Sequence, residues 1–329
     1  MIDIDIDKDG IQFGHLAVPH PTNRSAYGRV GVPIFCFKSG GGPTVTLTGA
    51  IHGDEIEGHL ILLELIDELN GAKIDGRIII LPHTNVLAFK EKTRFSTLDG
   101  LNLNRSFPGD KGGSYTQRLA EILFDQIITK TDYIIDLHSG GTSLEYLPSI
   151  VVYQQQLEDR RVLEMIESCE LEHVLVFQGK LDGASLLAAA KSSNVAALTM
   201  ELGGGASLNC AAIYQGAKSV RNLLTRLEVV RDLASSVGSC GRKIFLEVDR
   251  AKDFFHATRN GWFVCETELG ATVPTGGAVG SLYEEAGRQL VKHEIQSTNG
   301  GVLVCRRALA ETAVGDCIFH FGRKIPEPV

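Results

Sequence analysis

The sequence predicts an α/β protein: a mostly parallel or mixed central sheet with helices on both faces, joined to a small C-terminal all-β domain. Two patterns and a bulk property predict this class. From residue 30 to about 235, short β-branched apolar runs alternate with longer amphipathic runs. Strand and helix in alternation require crossover connections, which cover a largely parallel sheet on both faces. After Val237 the alternation stops, and residues 242–329 hold short β-type runs between glycine-rich turns. A chain of 329 residues with 43% hydrophobic and 22% charged residues has ample material for a sizeable core.

The expected strands are Val32–Phe37, Thr44–Ile51, Arg77–Pro82, Tyr133–Leu137, Ile150–Tyr153, Val174–Phe177 and Ala196–Glu201. The expected helices are Glu55–Leu69, Ser114–Thr129, Gln156–Cys169, Ala184–Ser192 and Ser207–Val230, each with apolar residues at helical spacing. Acidic and apolar residues alternate in the first fourteen positions, as in a strand with one wet face. The stretch Thr84–Gly113 lacks periodicity and is rich in Asn, Arg, Gly and Ser; irregular segments of that length are usually functional. In the C-terminal part the expected strands are Lys243–Val248, Gly261–Cys265, Val302–Arg306 and Cys317–Phe321.

The formal net charge of −8 speaks against a nucleic-acid-binding protein, which would carry a basic face. No run approaches the ~20 apolar residues of a membrane span, and the N-terminus lacks the pattern of a secretion signal. Cysteines 36, 169, 210, 240, 265, 305 and 317 are odd in number, scattered and without CxxC spacing. That is the usage of reduced thiols, and a cytoplasmic location is expected.

The chemistry concentrates at strand ends. The run TVTLTGAI gives way to His52-Gly-Asp-Glu55 and then to a helical pattern. Gly53 lets the chain bend so that His52 and Glu55 turn toward one point. An imidazole and a carboxylate are two parts of an open His₂Glu zinc set. The plainer alternative is a loop histidine and an acid in a helix first turn, matched to the helix dipole. His138 ends the run DYIIDLH and is the expected third ligand, with Asp136 able to accept from its second ring nitrogen. Glu201 ends VAALTMEL before three glycines. Beside a metal-activated water it suits a general base, and burial would raise its pKa into a useful range. In open α/β sheets ligands gather at the carboxyl ends of strands, where all these residues fall. Arg94, Asn104 and Arg105 lie in the irregular segment, and arginine forks suit carboxylates and developing oxyanions.

Four ordered motifs, HGDE, NLNRSFPG, DLHSGG and ELGGG, resemble those of the succinylglutamate desuccinylase/aspartoacylase family, a branch of the zinc carboxypeptidase superfamily. Within it, the NLNRSFPG run with its preceding DG looks most like the bacterial members that deacetylate N-acetyl-2,4-diaminobutyrate. The resemblance implies one Zn²⁺ on His52, Glu55 and His138 and a general base at Glu201. It also implies carbonyl polarisation by Arg94 and substrate anchoring by Asn104 and Arg105. It further implies a zinc carboxypeptidase-like catalytic domain, residues 1–237, and a β domain, residues 238–329, that covers or shapes the entrance.

The expected activity is therefore hydrolysis of the amide of a small N-acyl amino acid, with no nucleic-acid or membrane partner; homo-oligomerisation stays open. The alternatives are a metallocarboxypeptidase acting on small peptides and a non-catalytic zinc-bearing binding protein. Nucleotide binding and serine hydrolysis lack their motifs, GxxxxGK[ST] and GxSxG. His59 is expected to pack or face solvent, and His83 to have a lesser claim on the pocket wall. Glu145 is a candidate acid for an amine-bearing substrate, and Tyr283 and Glu284 are expected in a turn of the β domain.

Overall fold

The structure is a computed structural model that describes residues 2–181, 183–231, 233 and 241–328. Cys240 and the expected domain boundary at 237 and 238 lie outside the described residues. The strands of the first part are β1 (Gly10–Pro19), β2 (Arg29–Ser39), β3 (Thr44–Gly49), β4 (Gly76–Leu81), β5 (Tyr133–His138), β6 (Leu144–Tyr146), β7 (Ser149–Tyr153), β8 (His173–Phe177), β9 (Ala196–Glu201) and β10 (Ile244–Val248). The helices are α1 (Glu57–Leu69), α2 (Val86–Glu91), α3 (Tyr115–Gln126), α4 (Arg160–Ser168), α5 (Leu186–Ser192), α6 (Cys210–Arg226) and α7 (Arg250–Asp253).

The central sheet runs β1-β2-β4-β3-β5-β9-β7-β8-β10. Its middle is parallel: β4 with β3, β3 with β5, and β5 with β9. Both faces are buried, so neighbouring residues serve opposite cores. Ile78 and Ile80 join the core that receives Leu62 and Leu65 of α1 and Leu223 of α6. Ile79 and Leu81 join the core under Leu119 of α3 and Ala190 of α5. This two-sided burial is why the strands read as apolar runs without alternation.

The C-terminal strands are β11 (Phe254–His256), β12 (Gly261–Cys265), β13 (Thr272–Val273), β14 (Ala278–Ala286), β15 (Gln289–Gln296), β16 (Gly301–Arg307), β17 (Glu311–Thr312) and β18 (Cys317–Lys324). Four of them form an antiparallel sheet in the order β15-β14-β12-β17. Phe263, Leu282, Phe319 and Phe321 fill a third core between these layers. The region does not stand apart from the central sheet. β10 runs parallel to β8, β18 pairs antiparallel with β10, and β16 takes β6 as an edge partner.

Three expectations change. The N-terminal strand begins only at Gly10: the Asp5 side chain accepts from the Asp7 amide at 3.1 Å, which folds the acidic stretch into a turn. The irregular segment contains α2, whose Asn85 cap accepts from the Ala88 amide at 3.4 Å. Tyr283 and Glu284 lie in strand β14 rather than in a turn.

Candidate metal centre and active site

The crossover from β3 to α1 carries the first two residues of the site. A left-handed residue directs the turn, but it is Ala50, with φ 46°, and not Gly53. Gly53 is needed because a Cβ there would collide with the Ala88 carbonyl and the Phe89 amide of α2. Its own amide donates to the Thr93 carbonyl at 2.8 Å. Helix α1 begins at Glu57, so Glu55 sits in the connecting loop and Glu57 is the first-turn acid.

His138 ends β5, and the parallel register sets it opposite Glu201 on β9. On the other side of β5, Thr48 of β3 lies opposite Asp136. Thr48 Oγ1 donates to Asp136 Oδ1 at 2.7 Å, and Asp136 Oδ2 meets His138 Nε2 at 2.9 Å.

His52, Glu55 and His138 converge as expected, with ligand atoms all within 4.8 Å of one another. They are 3%, 2% and 4% exposed. Each Nδ1 lies 2.7 Å from a different oxygen of the Glu55 carboxylate. The far ring nitrogens decide the protonation pattern. His138 Nε2 faces a carboxylate, and His52 Nε2 faces Asn102 Oδ1 at 3.2 Å. That amide oxygen also accepts from the Asn104 amide at 2.9 Å. Both partners are acceptors, so both Nε2 atoms carry hydrogen. A neutral ring then points its Nδ1 lone pair at a carboxylate, a contact that a cation or a proton relieves; at His52 the Arg94 Nη1 also lies 3.3 Å from Nδ1. The donor set therefore fits a zinc ion, with three protein ligands and matched outer partners.

At His138 a proton competes for the same Nδ1 position. Burial opposes a charged His138, but the Asp136 and Glu55 carboxylates on its two sides hold its pKa well above the usual value. Burial keeps His52 below the usual value despite Glu55. Burial would raise Glu55, yet the two imidazoles pull it well below the ordinary carboxylate range.

Glu201, Arg94, Asn104 and Arg105 line one cavity of about 350 Å³ with the three converging residues. Glu201 Oε2 is enclosed and meets no hydrogen-bond donor among the described residues. Desolvation first, and then the Glu55 charge, push the Glu201 pKa up to about 8 against the pull of His138 and Arg94. Arg94 Nη1 donates to Glu55 Oε1 at 3.1 Å, so its guanidinium reaches the ligand cluster itself. Asn104 Oδ1 accepts from the Leu186 amide at 2.8 Å, which tethers the irregular segment to α5. Arg105 is exposed at the rim, and its Nη1 donates to the Asn104 carbonyl at 2.6 Å.

Several candidates fall elsewhere. Glu145 does not line the cavity; its Oε2 takes both Nε and Nη2 of Arg306, at 2.9 and 2.8 Å. His83 is stacked on Phe89, with ring centroids 5.0 Å apart, and is absent from the wall. His59 packs on the same phenylalanine, as expected. Glu284 bonds His293 Nε2 at 2.8 Å in the small sheet, and neither it nor Tyr283 reaches the cavity. The sequence reading missed Asn102, whose clue was its place in the NLNR run. It also missed Tyr146, Phe177 and Arg250 of the cavity wall, which carried no local signal.

The sequence profile of the succinylglutamate desuccinylase/aspartoacylase catalytic domain matches residues 41–227, a span that holds every ligand candidate and Glu201. The chain belongs to this family. It is 31% identical over 319 residues to the N-alpha-acetyl-L-2,4-diaminobutyric acid deacetylase of Halomonas elongata, covering 96% of this chain and 92% of that protein. Its fold matches a succinylglutamate desuccinylase/aspartoacylase from Rhodobacter sphaeroides with a TM-score of 0.89 and 30% identity, over 99% of this chain and 98% of the other. It matches the product-bound ectoine utilization protein EutE (DoeB) of Ruegeria pomeroyi with a TM-score of 0.89 and 28% identity, over 98% of each chain. The α/β fold with an antiparallel C-terminal region is thus that of the family.

Proposed function

We propose that this protein is a zinc-dependent amidohydrolase that removes a short acyl group from an N-acyl amino acid, with N-acetyl-2,4-diaminobutyrate as the leading candidate substrate. The observation that carries the reading is the pair of imidazole Nδ1 atoms converging on one buried carboxylate, a His₂Glu donor set suited to zinc. A zinc ion held by His52, Glu55 and His138 would supply Lewis-acid polarisation and lower the pKa of water at the site. The remaining work falls to residues of the cavity. Glu201, whose Oε2 has no donor, takes the proton of the attacking water and returns it to the leaving amine. Arg94 stabilises the oxygen of the carbonyl under attack. Asn104 and Arg105 hold the substrate carboxylate at the rim.

A cavity of about 350 Å³ supports a small substrate in preference to a peptide. We assign residues 238–329 to shaping its entrance, which accords with Arg250 and Phe254 in the wall. Among the described residues no cysteine is joined in a disulfide, which supports a cytoplasmic setting.

The test is amine release from N-acetyl, N-succinyl and N-formyl amino acids, diaminobutyrate derivatives included, by zinc-loaded protein. Hydrolysis of at least one acyl class is expected. In Glu201→Gln zinc should stay bound while kcat falls by about 10²–10⁴-fold. No turnover across the panel at full zinc occupancy would contradict the reading, and near-normal turnover by Glu201→Gln would contradict the assigned base.

A further inference from the structure

Tyr146 has no role in the scheme above, yet it lines the cavity with His138, Glu201 and Arg94. We propose that its hydroxyl is a further catalytic group: a hydrogen-bond donor to the oxygen of the scissile carbonyl as the tetrahedral centre forms, held in place by the C-terminal strands. The proposal rests on the deacylase reading.

The backbone ties Tyr146 to the two strand ends that carry the chemistry. After His138 the chain turns through Ser139–Ser143 and returns as β6. The Tyr146 amide donates to the Gly203 carbonyl at 2.9 Å, two residues beyond Glu201. The Gly140 amide, two residues beyond His138, donates to the same carbonyl at 2.9 Å. One carbonyl thus joins both strand ends to the base of the tyrosine.

The C-terminal region braces it from outside. β6 pairs antiparallel with β16, setting Cys305 opposite Tyr146 and Arg306 opposite Glu145. The Glu145–Arg306 ion pair closes over that pairing at 2.8 Å, and the Leu147 amide donates to the Val304 carbonyl at 2.9 Å. The ring stands edge-on to His320 of β18, with centroids 5.2 Å apart and planes at 75°.

The chemistry suits a donor and not a base. Burial, then the neighbouring Cys305 thiol and Glu201 carboxylate, hold the phenol pKa well above its usual value, so the hydroxyl keeps its proton. Arg94 already donates to Glu55 Oε1, and a second, neutral donor adds stabilisation to an oxygen that gains charge only during reaction.

The experiment uses the zinc-loaded full chain and Tyr146→Phe, which removes only the hydroxyl. Loss of one oxyanion donor should lower kcat by about 10²-fold or more. KM should stay within about threefold, with zinc content and melting temperature unchanged, because the lost interaction belongs to the transition state. A phosphinate analogue of the tetrahedral centre should bind more weakly by a factor like that in kcat, with product affinity unchanged in calorimetry. In Arg306→Met, which frees the brace, kcat should fall by a smaller factor, and it should fall no further when added to Tyr146→Phe. Unchanged kcat and analogue affinity in Tyr146→Phe would overturn the proposal. Parallel loss of analogue and product affinity would overturn it too, since that is what a mere wall residue gives. A wild-type protein that hydrolyses no member of the panel would overturn the deacylase reading, and this proposal with it.

Discussion

Asp136 and His138 are two residues apart on one strand and joined side chain to side chain, Oδ2 to Nε2, at 2.9 Å. Residues i and i+2 of a strand share a face, so β5 itself sets the pair. Thr48 holds the other Asp136 oxygen at 2.7 Å. The carboxylate fixes the ring orientation and leaves Nδ1 for the ligand side. Asp136→Asn keeps the shape but removes the charge. Its zinc affinity, measured by competition with a chelator, should fall by about 10–100-fold. Unchanged affinity would mean that the pair only packs the strand.

Gly53 owes its place to the close approach of α2. In Gly53→Ala the new Cβ meets the backbone at Ala88 and Phe89, which cannot move aside as a flexible side chain could. A loss of about 1–3 kcal/mol is expected from overpacking, with weakened zinc binding because His52 is the next residue. Gly41→Ala, where a Cβ meets nothing within 4 Å, is the control. Denaturant unfolding with and without zinc measures both; equal stability of the two variants would count against the packing argument.

His320 is fully buried, and desolvation pushes its pKa from 6.5 down to about 3. Neither ring nitrogen meets a hydrogen-bond partner among the described residues. The folded pKa is depressed, so the unfolded chain takes up the proton first as pH falls. The neutral ring's contribution is fully present above pH 6.5 and is lost as pH drops from there toward 3. Between pH 7 and pH 4 the loss is about 3 kcal/mol. Unfolding free energies of the wild type and His320→Phe across this range should diverge in slope, the variant being less acid-sensitive. Parallel curves would show that His320 does not titrate on unfolding.

Much of the parallel half was legible because burial on both faces leaves a strand no polar alternation. Ala196–Glu201 is expected and observed over the same residues. The three metal-ligand candidates were legible because each lies at or just beyond the carboxyl end of a parallel strand, and such ends form one rim. Their outer partners were harder to read: Asp136 lay next to a proposed ligand, whereas the contact between Asn102 and His52 depends on how an irregular segment closes. The β14–β15 hairpin escaped the sequence reading because β15 is largely exposed, so little apolar pattern marks it. The run ending at Val248 was legible as a strand, but its parallel pairing with β8 was not, since an apolar run does not name its neighbour. Tyr146 stayed hidden for the same reason: a strand of three residues, Leu144–Tyr146, is set by its partner β16.

The most direct measurement is the metal content of purified protein by elemental analysis, made on the wild type and on His138→Ala after zinc loading and desalting. The account predicts about one zinc per chain in the wild type and almost none in the variant, with the far-ultraviolet circular dichroism of both unchanged. A wild type that retains no zinc, or a folded His138→Ala that retains as much as the wild type, would contradict it.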